Sequence, residues 1–419
     1  MSQALRDYSI LLLSRHRISS LFFSPNLFAV YLICLLPLSY YLLSSVTPHA
    51  GTSPNKTADA GKTALGLLTF LLFLLCLFLT RSIGGVATLL TGCALIFAIT
   101  YKTLRKRMKV LSLLAIGALF VFGTLIVWSR VDYFLNLRHP DNSITQRLFY
   151  WQTALRIIRD HWCKGIGPGN FRFFYTRYMN PLATETRFAH NVFLQTFAET
   201  GLIGFIGFLV FIGALSSFSI KVFSRGKDGG ITALQKSCAL GVCFFLIHNM
   251  VSFSFYQPES AFLFWIYLGV IASRSAPAPL PHSSRKKTAL YWSVALLTSV
   301  FLCDLFMYTT ADYCFWTSAR GTPASLQKKK CALALNPLEL SYYLELATLS
   351  KESDPIRAID LYQQAIGIAP AYYYPYLEAS KVLYALNRDN EALPYLLRAR
   401  LLYPSHPEIK MLLSKKRLL

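Results

Sequence analysis

The chain has 419 residues, of which 54% are hydrophobic and 15% are charged, and its mean hydropathy is +0.41. This composition excludes an ordinary soluble globular protein, in which about a quarter of the residues are charged. The formal net charge of +22 would suit a nucleic-acid partner. However, the basic residues fall in short connectors instead of along one long face, so we expect no nucleic acid to bind.

Hydrophobic runs recur from residue 27 to residue 309. A helix that crosses a bilayer needs about 20 mostly apolar residues. The candidate runs are 27–46, 63–79, 83–100, 110–128, 192–220, 231–251, 261–272 and 289–309. The seventh is the weakest, because its apolar core is short. The predicted fold class is all-α, a polytopic transmembrane helical bundle of about eight spans.

Clusters of basic residues in the short connectors set the predicted orientation. Lysine and arginine accumulate in the cytoplasmic loops of membrane proteins. The connectors after the third, fifth and seventh runs carry Lys102, Arg105, Lys106, Arg107 and Lys109; Lys221, Arg225 and Lys227; and Arg274, Arg285, Lys286 and Lys287. Counting spans from these connectors places residues 130–191 and everything after residue 309 on the external side.

Residues 1–26 conflict with this orientation. The same count makes them an external segment, although they contain Arg6, Arg15 and Arg17. Nothing at the start resembles a cleavable signal peptide.

Two features precede the fifth run on the external side. Arg81 follows a span at the mouth of a hairpin, where it either reaches an anion or extends to lipid headgroups. Ser143-Ile144-Thr145-Gln146 has the pattern of a capping box and predicts a helix along the outer interface. The predicted interfacial stripe of this helix holds Arg147, Trp151, Leu155 and Ile158.

The long loop 130–191 is unusually basic for the external side. Residues 130–190 carry nine arginines or lysines against four acids, which favours an anionic ligand. Gly165-Ile166-Gly167-Pro168-Gly169 predicts a tight turn. His190, at the head of the next run, is either an interfacial hydrogen-bonding residue or a general base, because imidazole has an unperturbed pKa near neutrality.

The tail after residue 309 has apolar residues at helical spacing, which predicts amphipathic helices in water. Residues 357–365 recur as 391–399 and Pro370 recurs as Pro404, at the 34-residue period of tetratricopeptide repeats. About two to three helix pairs are predicted, and they either bind a protein partner or only cap the membrane domain. The predicted domains are thus the segment 1–26, a transmembrane domain 27–309 and a tetratricopeptide-like domain 310–419.

Several short motifs occur in a fixed order along residues 17–275. They are Pro25-Asn26, Thr80-Arg81-Ser82, Arg147 to Trp151, the glycine turn, His190-Asn191 with Leu194-Gln195, and Glu199-Thr200-Gly201. This series resembles the O-antigen ligase family, which includes lipid-linked O-antigen polymerases and related oligosaccharide transferases. A tetratricopeptide tail is a known companion of such membrane domains.

The resemblance implies a reaction and its partners. A glycan would pass from a polyprenyl-diphosphate carrier to an acceptor hydroxyl on the periplasmic side of the bacterial inner membrane, as in lipopolysaccharide biosynthesis. The expected partners are this donor, a lipid, glycan or protein acceptor, membrane lipids, and a protein at the tetratricopeptide tail. We expect no cofactor and no metal, since the chain has neither an Asp-x-Asp motif nor a Walker-type motif.

The resemblance also suggests roles for particular residues. His190 is the expected catalytic base, and Arg147 and Arg81 are the expected catalytic cations, because a guanidinium stabilises a diphosphate without a metal. The candidate substrate-binding residues are Arg138, Arg172, Asn191 and Gln195.

Two departures from the family pattern leave alternatives open. Val251-Ser252-Phe253 stands where many members carry an acidic residue, for which Glu259 or Asp304 could substitute. The family's Pro-Asn segment follows several spans that have no counterpart here, which favours a truncated or divergent member. The alternatives to an enzyme are a transporter of the same lipid, and a scaffold whose helices only anchor the tetratricopeptide module.

Overall fold

A computed structural model describes residues 24–44, 56–102, 106–128, 142–224, 233–273, 284–317 and 323–416. Every regular element in these ranges is helical, which confirms the all-α prediction. Predictions that concern residues 1–23, Arg105, Arg138, Arg225, Lys227 and Arg274 lie outside the described residues.

The helices are numbered in chain order. They are α1 (Pro25–Ser44), α2 (Lys56–Thr80), α3 (Ile83–Thr100), α4 (Lys106–Trp128), α5 (Ser143–His161), α6 (Phe171–Tyr178), α7 (Val192–Ser224), α8 (Ala233–His248), α9 (Pro258–Ser273), α10 (Ser284–Trp316), α11 (Pro323–Leu335), α12 (Leu340–Ser350), α13 (Pro355–Ile368), α14 (Tyr373–Ala385), α15 (Asp389–Leu402) and α16 (Pro407–Lys415). The chain divides into two compact units, Met1–Phe171 with Leu182–Ala276, and Arg172–Pro181 with Pro277–Leu419.

Among the described residues, three helices of the first unit are long and apolar enough to cross a membrane: α3, α4 and α7 over Val192–Val222. Only 11% of the most apolar window of α4 and 6% of that of α7 are buried within the protein, and Ile203 on α7 is 81% exposed. Such apolar surface is suited to contact with lipid. Shorter apolar helices are Pro25–Ser39, Ala64–Thr80, Ala233–His248 and Pro258–Ser273. The count of about eight spans therefore remains a prediction.

Helix α8 is the centre of the first unit, because it packs against α1, α3, α7 and α9. Its buried positions include two large residues, Phe244 and Phe245, and two small ones, Ala239 and Gly241. The hydroxyl of Tyr267 on α9 donates to the carbonyl of Cys34 on α1 at 2.9 Å. The end of α8 and the start of α7 are also joined, since the amide of Val192 donates to the carbonyl of Asn249 at 3.0 Å.

Helix α5 forms where predicted, but its cap differs from the prediction. Asn142 is the N-cap, and its side-chain oxygen accepts from the amides of Ile144 and Thr145. The buried side holds Gln146, Tyr150, Thr153, Ala154, Ile157 and Ile158, whereas Leu155 of the predicted stripe is 54% exposed. The position of this stripe at a membrane interface remains a prediction.

The second unit contains the repeats. Helices α12 to α16 follow one another in antiparallel contact, and the two copies of the 34-residue repeat lie on α13 and α15. Residues 172–181 also belong to this unit: Phe173 packs with Leu340, Ala365 and Ala369, and the Thr176 hydroxyl donates to the Leu402 carbonyl at 3.1 Å. The predicted domain boundary at residue 309 falls inside α10 and remains a prediction.

Candidate active site

A cleft of about 250 Å³ lies in the first unit between the start of α1, the start of α5 and the chain before α7. It is lined by Asn26, Ser143, Gln146, Arg147, Tyr150, Thr184 and His190. The fold thus brings together two of the three predicted catalytic residues, Arg147 and His190, which are 43 positions apart in the sequence.

Side chains of α5 form hydrogen bonds to the segment around Thr184, which makes up the opposite wall of the cleft. Buried Gln146 accepts from the Thr184 amide at 2.8 Å and the Thr184 hydroxyl at 3.2 Å, and it donates to the Leu182 carbonyl at 3.2 Å. The hydroxyls of Tyr150 and Thr184 are 2.7 Å apart. These bonds fix the loop against the helix that carries Arg147.

His190 is held in a conformation that few residues adopt. Its φ is 54°, in the left-handed region, where backbone strain is often associated with functional sites. Its ring stacks on Tyr150 at a centroid distance of 5.4 Å and meets Phe253 edge to face at 4.7 Å. The amide of the preceding residue, Ala189, donates to the Gln195 side chain at 3.0 Å. The imidazole is therefore oriented by its neighbours on several sides.

Burial and the positive charge of Arg147 lower the pKa of His190 to about 3. The ring is consequently neutral near pH 7 and has a free lone pair on one nitrogen. A negative charge bound beside Arg147 would offset that effect and raise the basicity of the ring.

The turn between α2 and α3 adjoins the cleft through Asn26. The Ser82 hydroxyl donates to the side-chain oxygen of Asn26 at 3.0 Å, and Ser82 caps α3 by accepting from the Gly85 amide. Arg81 lies in this turn with a left-handed φ of 47°. It is half-buried and is not among the residues that line the cleft.

The glycine turn, residues 165–169, and the Glu199-Thr200-Gly201 motif contact each other through their backbones. We call this contact the joint. The amides of Ile166 and Gly167 donate to the carbonyls of Ala198 and Glu199, at 3.0 and 2.8 Å. Gly201 interrupts the helical backbone of α7 with a φ of 65°. A Cβ on Gly165 would lie 2.5 Å from the Gly201 nitrogen, so the two backbones meet with no room for a side chain.

The joint is reinforced by a buried carboxylate. Glu199 accepts from the Phe171 amide at 3.3 Å and from the Gln195 side chain at 3.2 Å. Gln195 also accepts from Ala189, and the Asn191 side chain accepts from the Leu194 amide at the start of α7. The predicted substrate-binding residues Asn191 and Gln195 therefore orient the loop, and neither lines the cleft.

The other predicted residues lie elsewhere. Arg172 belongs to the second unit, where its guanidinium stacks on Phe173 at 4.4 Å. Of the proposed replacements for the missing acid, Glu259 is exposed in the first turn of α9, and Asp304 is exposed on α10 of the second unit. The buried Ser252 hydroxyl is 3.3 Å from that of Ser254.

The chemistry of the cleft suits an anion. Among the described residues, its lining contains one arginine, a neutral histidine and five uncharged hydrogen-bonding side chains, and no carboxylate. Arginine beside neutral donors is a common arrangement for phosphate recognition. No group of three or more His, Cys, Asp or Glu placed to hold a metal ion occurs in the described part of the chain.

Sequence reasoning missed Gln146, Tyr150 and Thr184 as parts of the site. Gln146 and Tyr150 carried a usable signal, because Tyr150 lies three positions after Arg147 and four after Gln146, so its side chain is next to both on the surface of a helix. Thr184 carried none, since its partner Gln146 is 38 residues away.

Comparisons with known proteins agree with the resemblance noted in the sequence. The family described as O-Antigen ligase matches residues 68–209, and a tetratricopeptide repeat matches residues 349–416. The teichuronic acid biosynthesis protein TuaE of Bacillus subtilis (strain 168) is 21% identical over 284 residues, which cover 64% of this chain and 55% of that protein. The chain thus spans about half the length of this curated relative.

The ligase match contains α3, α4, α5 and the loop up to His190, and so most of the cleft lining. Together with the apolar helices, it indicates a membrane protein. The resemblance of the chain to the O-antigen ligase family is thereby confirmed over residues 68–209, and its tail is confirmed as a tetratricopeptide repeat.

Proposed function

We propose that the chain is a metal-independent glycosyltransferase that moves a glycan from a polyprenyl-diphosphate carrier to an acceptor hydroxyl on the periplasmic side of the inner membrane. The observation that carries this proposal is the cleft in which Arg147 and a neutral His190 face the same space, with no carboxylate among the lining residues that the structure describes. This arrangement supplies a cation for the leaving diphosphate and a proton acceptor for the hydroxyl.

The reaction we propose is a single displacement. The acceptor oxygen bonds to the anomeric carbon as the bond from that carbon to the diphosphate oxygen breaks, and the leaving diphosphate keeps the electron pair. His190 takes the proton of the acceptor hydroxyl, and the anomeric centre is inverted. Arg147 stabilises the charge that develops on the leaving group, with Arg81 in the adjoining turn as a second candidate cation.

Donor binding would also prepare the base. The free site holds the pKa of His190 near 3, which makes the imidazole a weak base. A bound diphosphate would place negative charge beside Arg147 and raise that pKa. His190 would then remove the proton of the acceptor hydroxyl only after the donor has bound.

The experiment that tests the proposal is glycan transfer by the purified chain in liposomes, from a radiolabelled polyprenyl-diphosphate glycan to an added acceptor. A transferase releases polyprenyl diphosphate and labels the acceptor. A transporter moves the labelled lipid between leaflets without cleaving it, and a scaffold does neither. Label that stays on the intact lipid with each of a lipid, a glycan and a protein acceptor would refute the proposal.

A further inference from the structure

Helix α6 lies within the region that matches the ligase family, yet its buried side chains pack in the tetratricopeptide unit. Phe173 is 8% exposed and forms one apolar cluster with Leu340, Ala365 and Ala369. Its ring also meets that of Tyr372 at a centroid distance of 5.3 Å. The side chain of Phe173 is therefore enclosed by residues of the repeats.

A hydrogen bond adds a second point of attachment. Thr176, one helical turn after Phe173, is buried, and its hydroxyl donates to the carbonyl of Leu402 at 3.1 Å. Leu402 is the last residue of α15, whereas the apolar cluster involves the start of α12 and the end of α13. The contacts of α6 thus extend over several successive helices, as expected for a segment bound to a repeat array.

The helical conformation of α6 depends on this packing. The helix has only eight residues. Isolated helices shorter than about 12–15 residues are marginal in water, because few hydrogen bonds offset the cost of nucleation. Without the repeat surface, the segment would therefore lose both its burial and its helical structure.

Both ends of the segment 172–181 are attached to the unit that contains the cleft. Just before it, the amide of Phe171 donates to the carboxylate of Glu199 at 3.3 Å. Just after it, the amide of Thr184 on the cleft wall donates to the Gln146 side chain at 2.8 Å. A loop held only at its ends retains conformational freedom, and each residue that is fixed in between removes part of that freedom.

We propose that the tetratricopeptide unit binds the chain's own segment 172–181 and thereby acts as a positioning element for the cleft wall that carries Thr184 and His190. The part of this inference that concerns catalysis rests on the proposed function, whereas the binding of the segment does not. The alternative is that the repeats only cap the membrane domain and that the cleft wall is independent of them.

Hydrogen–deuterium exchange of the purified full chain in detergent tests the binding of the segment, with Phe173→Ala as the main variant. We expect residues 172–181 to lose their protection and residues 182–190 to exchange about tenfold faster than in the wild type, because the wall is held at fewer points. The amides of Ile166 and Gly167 in the joint should keep their protection. Arg177→Ala, at an exposed position of α6, is the matched control.

Two further variants guard against a chain that fails to fold. Phe173→Leu keeps an apolar side chain and should restore most of the protection. Thr176→Val removes the hydroxyl bond to Leu402 at nearly constant volume, and should accelerate exchange in the same residues to a smaller extent. Protection of residues 182–190 as in the wild type, in variants whose segment 172–181 is exposed, would overturn the positioning role. A segment that stays protected in Phe173→Ala and Thr176→Val would overturn its binding by these contacts.

Glycan transfer from a polyprenyl-diphosphate donor, at equal amounts of folded protein in liposomes, tests the consequence for catalysis. We expect Phe173→Ala to lower kcat about 10- to 100-fold, because the loop with His190 is misplaced, and Phe173→Leu to restore it. The KM for the donor should change little, since Arg147 lies on α5 outside this loop. An unchanged kcat would remove the positioning role and leave the enzyme. Loosened exchange in a wild-type chain that transfers no glycan would remove the enzyme and leave the binding of the segment.

Discussion

Two groups of polar side chains in the first unit differ in what holds them in place. Gln146, Gln195 and Glu199, which we call the polar frame, bond to backbone or side-chain groups of the loop 166–195. In the cleft, by contrast, His190 is oriented by the aromatic rings of Tyr150 and Phe253. The frame stabilises the loop, whereas the cleft brings Arg147 and His190 to one space.

The largest expected effect comes from breaking the joint that supports the frame. In Gly165→Ala, the Cβ would lie 2.4 Å from the Glu199 carbonyl oxygen, at a φ of 69° that favours glycine. Because backbone lies on both sides, we expect almost no folded protein in detergent extracts, measured by size-exclusion chromatography. Gly207→Ala on α7 is the control, with no atom within 4 Å of its Cβ position. A normal yield of Gly165→Ala would contradict the joint.

The next largest effect is expected from a substitution that changes the cleft and leaves the frame intact. Arg147→Gln should leave the folded yield unchanged and lower glycan transfer about 10- to 100-fold at low donor concentration, because a charge-assisted contact to the diphosphate is lost. The measurement is the transfer rate against donor concentration. Arg156→Gln, at an exposed position on the same helix, is the control. An unchanged donor dependence in Arg147→Gln would exclude Arg147 from diphosphate binding.

The contrast between frame and cleft also explains what could be predicted from the sequence. The helices could be predicted from apolar periodicity and the tail from a 34-residue repeat, because both patterns are visible along the sequence itself. Arg147 and His190 were found because both lie in the motif series that resembles the O-antigen ligase family, and because a basic loop and an imidazole before an apolar run are local signals. Gln146 was read as half of a capping box, although Asn142 caps α5 and Gln146 bonds to Thr184.

The residues that were missed depend on distant contacts. Asn26 was noticed only as part of a motif, and its position on the cleft depends on Ser82, 56 residues away. Hydrogen bonds across such separations depend on tertiary packing and leave no periodic pattern in the sequence.

A smaller effect is expected when the frame loses one member. Gln146→Leu removes three hydrogen bonds and leaves the Thr184 amide and the Leu182 carbonyl without this partner, at a cost of about 1–3 kcal/mol per buried unsatisfied group. We expect a lower thermal unfolding midpoint in detergent. Gln152→Leu, at an exposed position of α5, should change the midpoint little. Equal midpoints for the two variants would mean that the frame does not stabilise the loop.

The smallest effect is a dependence of stability on pH. The pKa of His190 is about 3 in the folded protein and 6.5 in a free side chain, so the unfolded chain takes up a proton first as the pH falls. The contribution of this group to stability is full above pH 6.5 and is lost as the pH falls toward 3. His190→Gln should therefore show a smaller fall in unfolding midpoint between about pH 7 and about pH 5 than the wild type. An identical fall in the unfolding midpoints of the two proteins would mean that a group other than His190 titrates.

The most direct test of the account is the rate of glycan transfer from a polyprenyl-diphosphate donor by His190→Ala and by the wild type, at equal amounts of folded protein in liposomes. If His190 is the base, the variant should remain in the membrane and lose about 10²- to 10⁴-fold in rate. Transfer by His190→Ala at a rate close to that of the wild type would contradict the role of the cleft in catalysis.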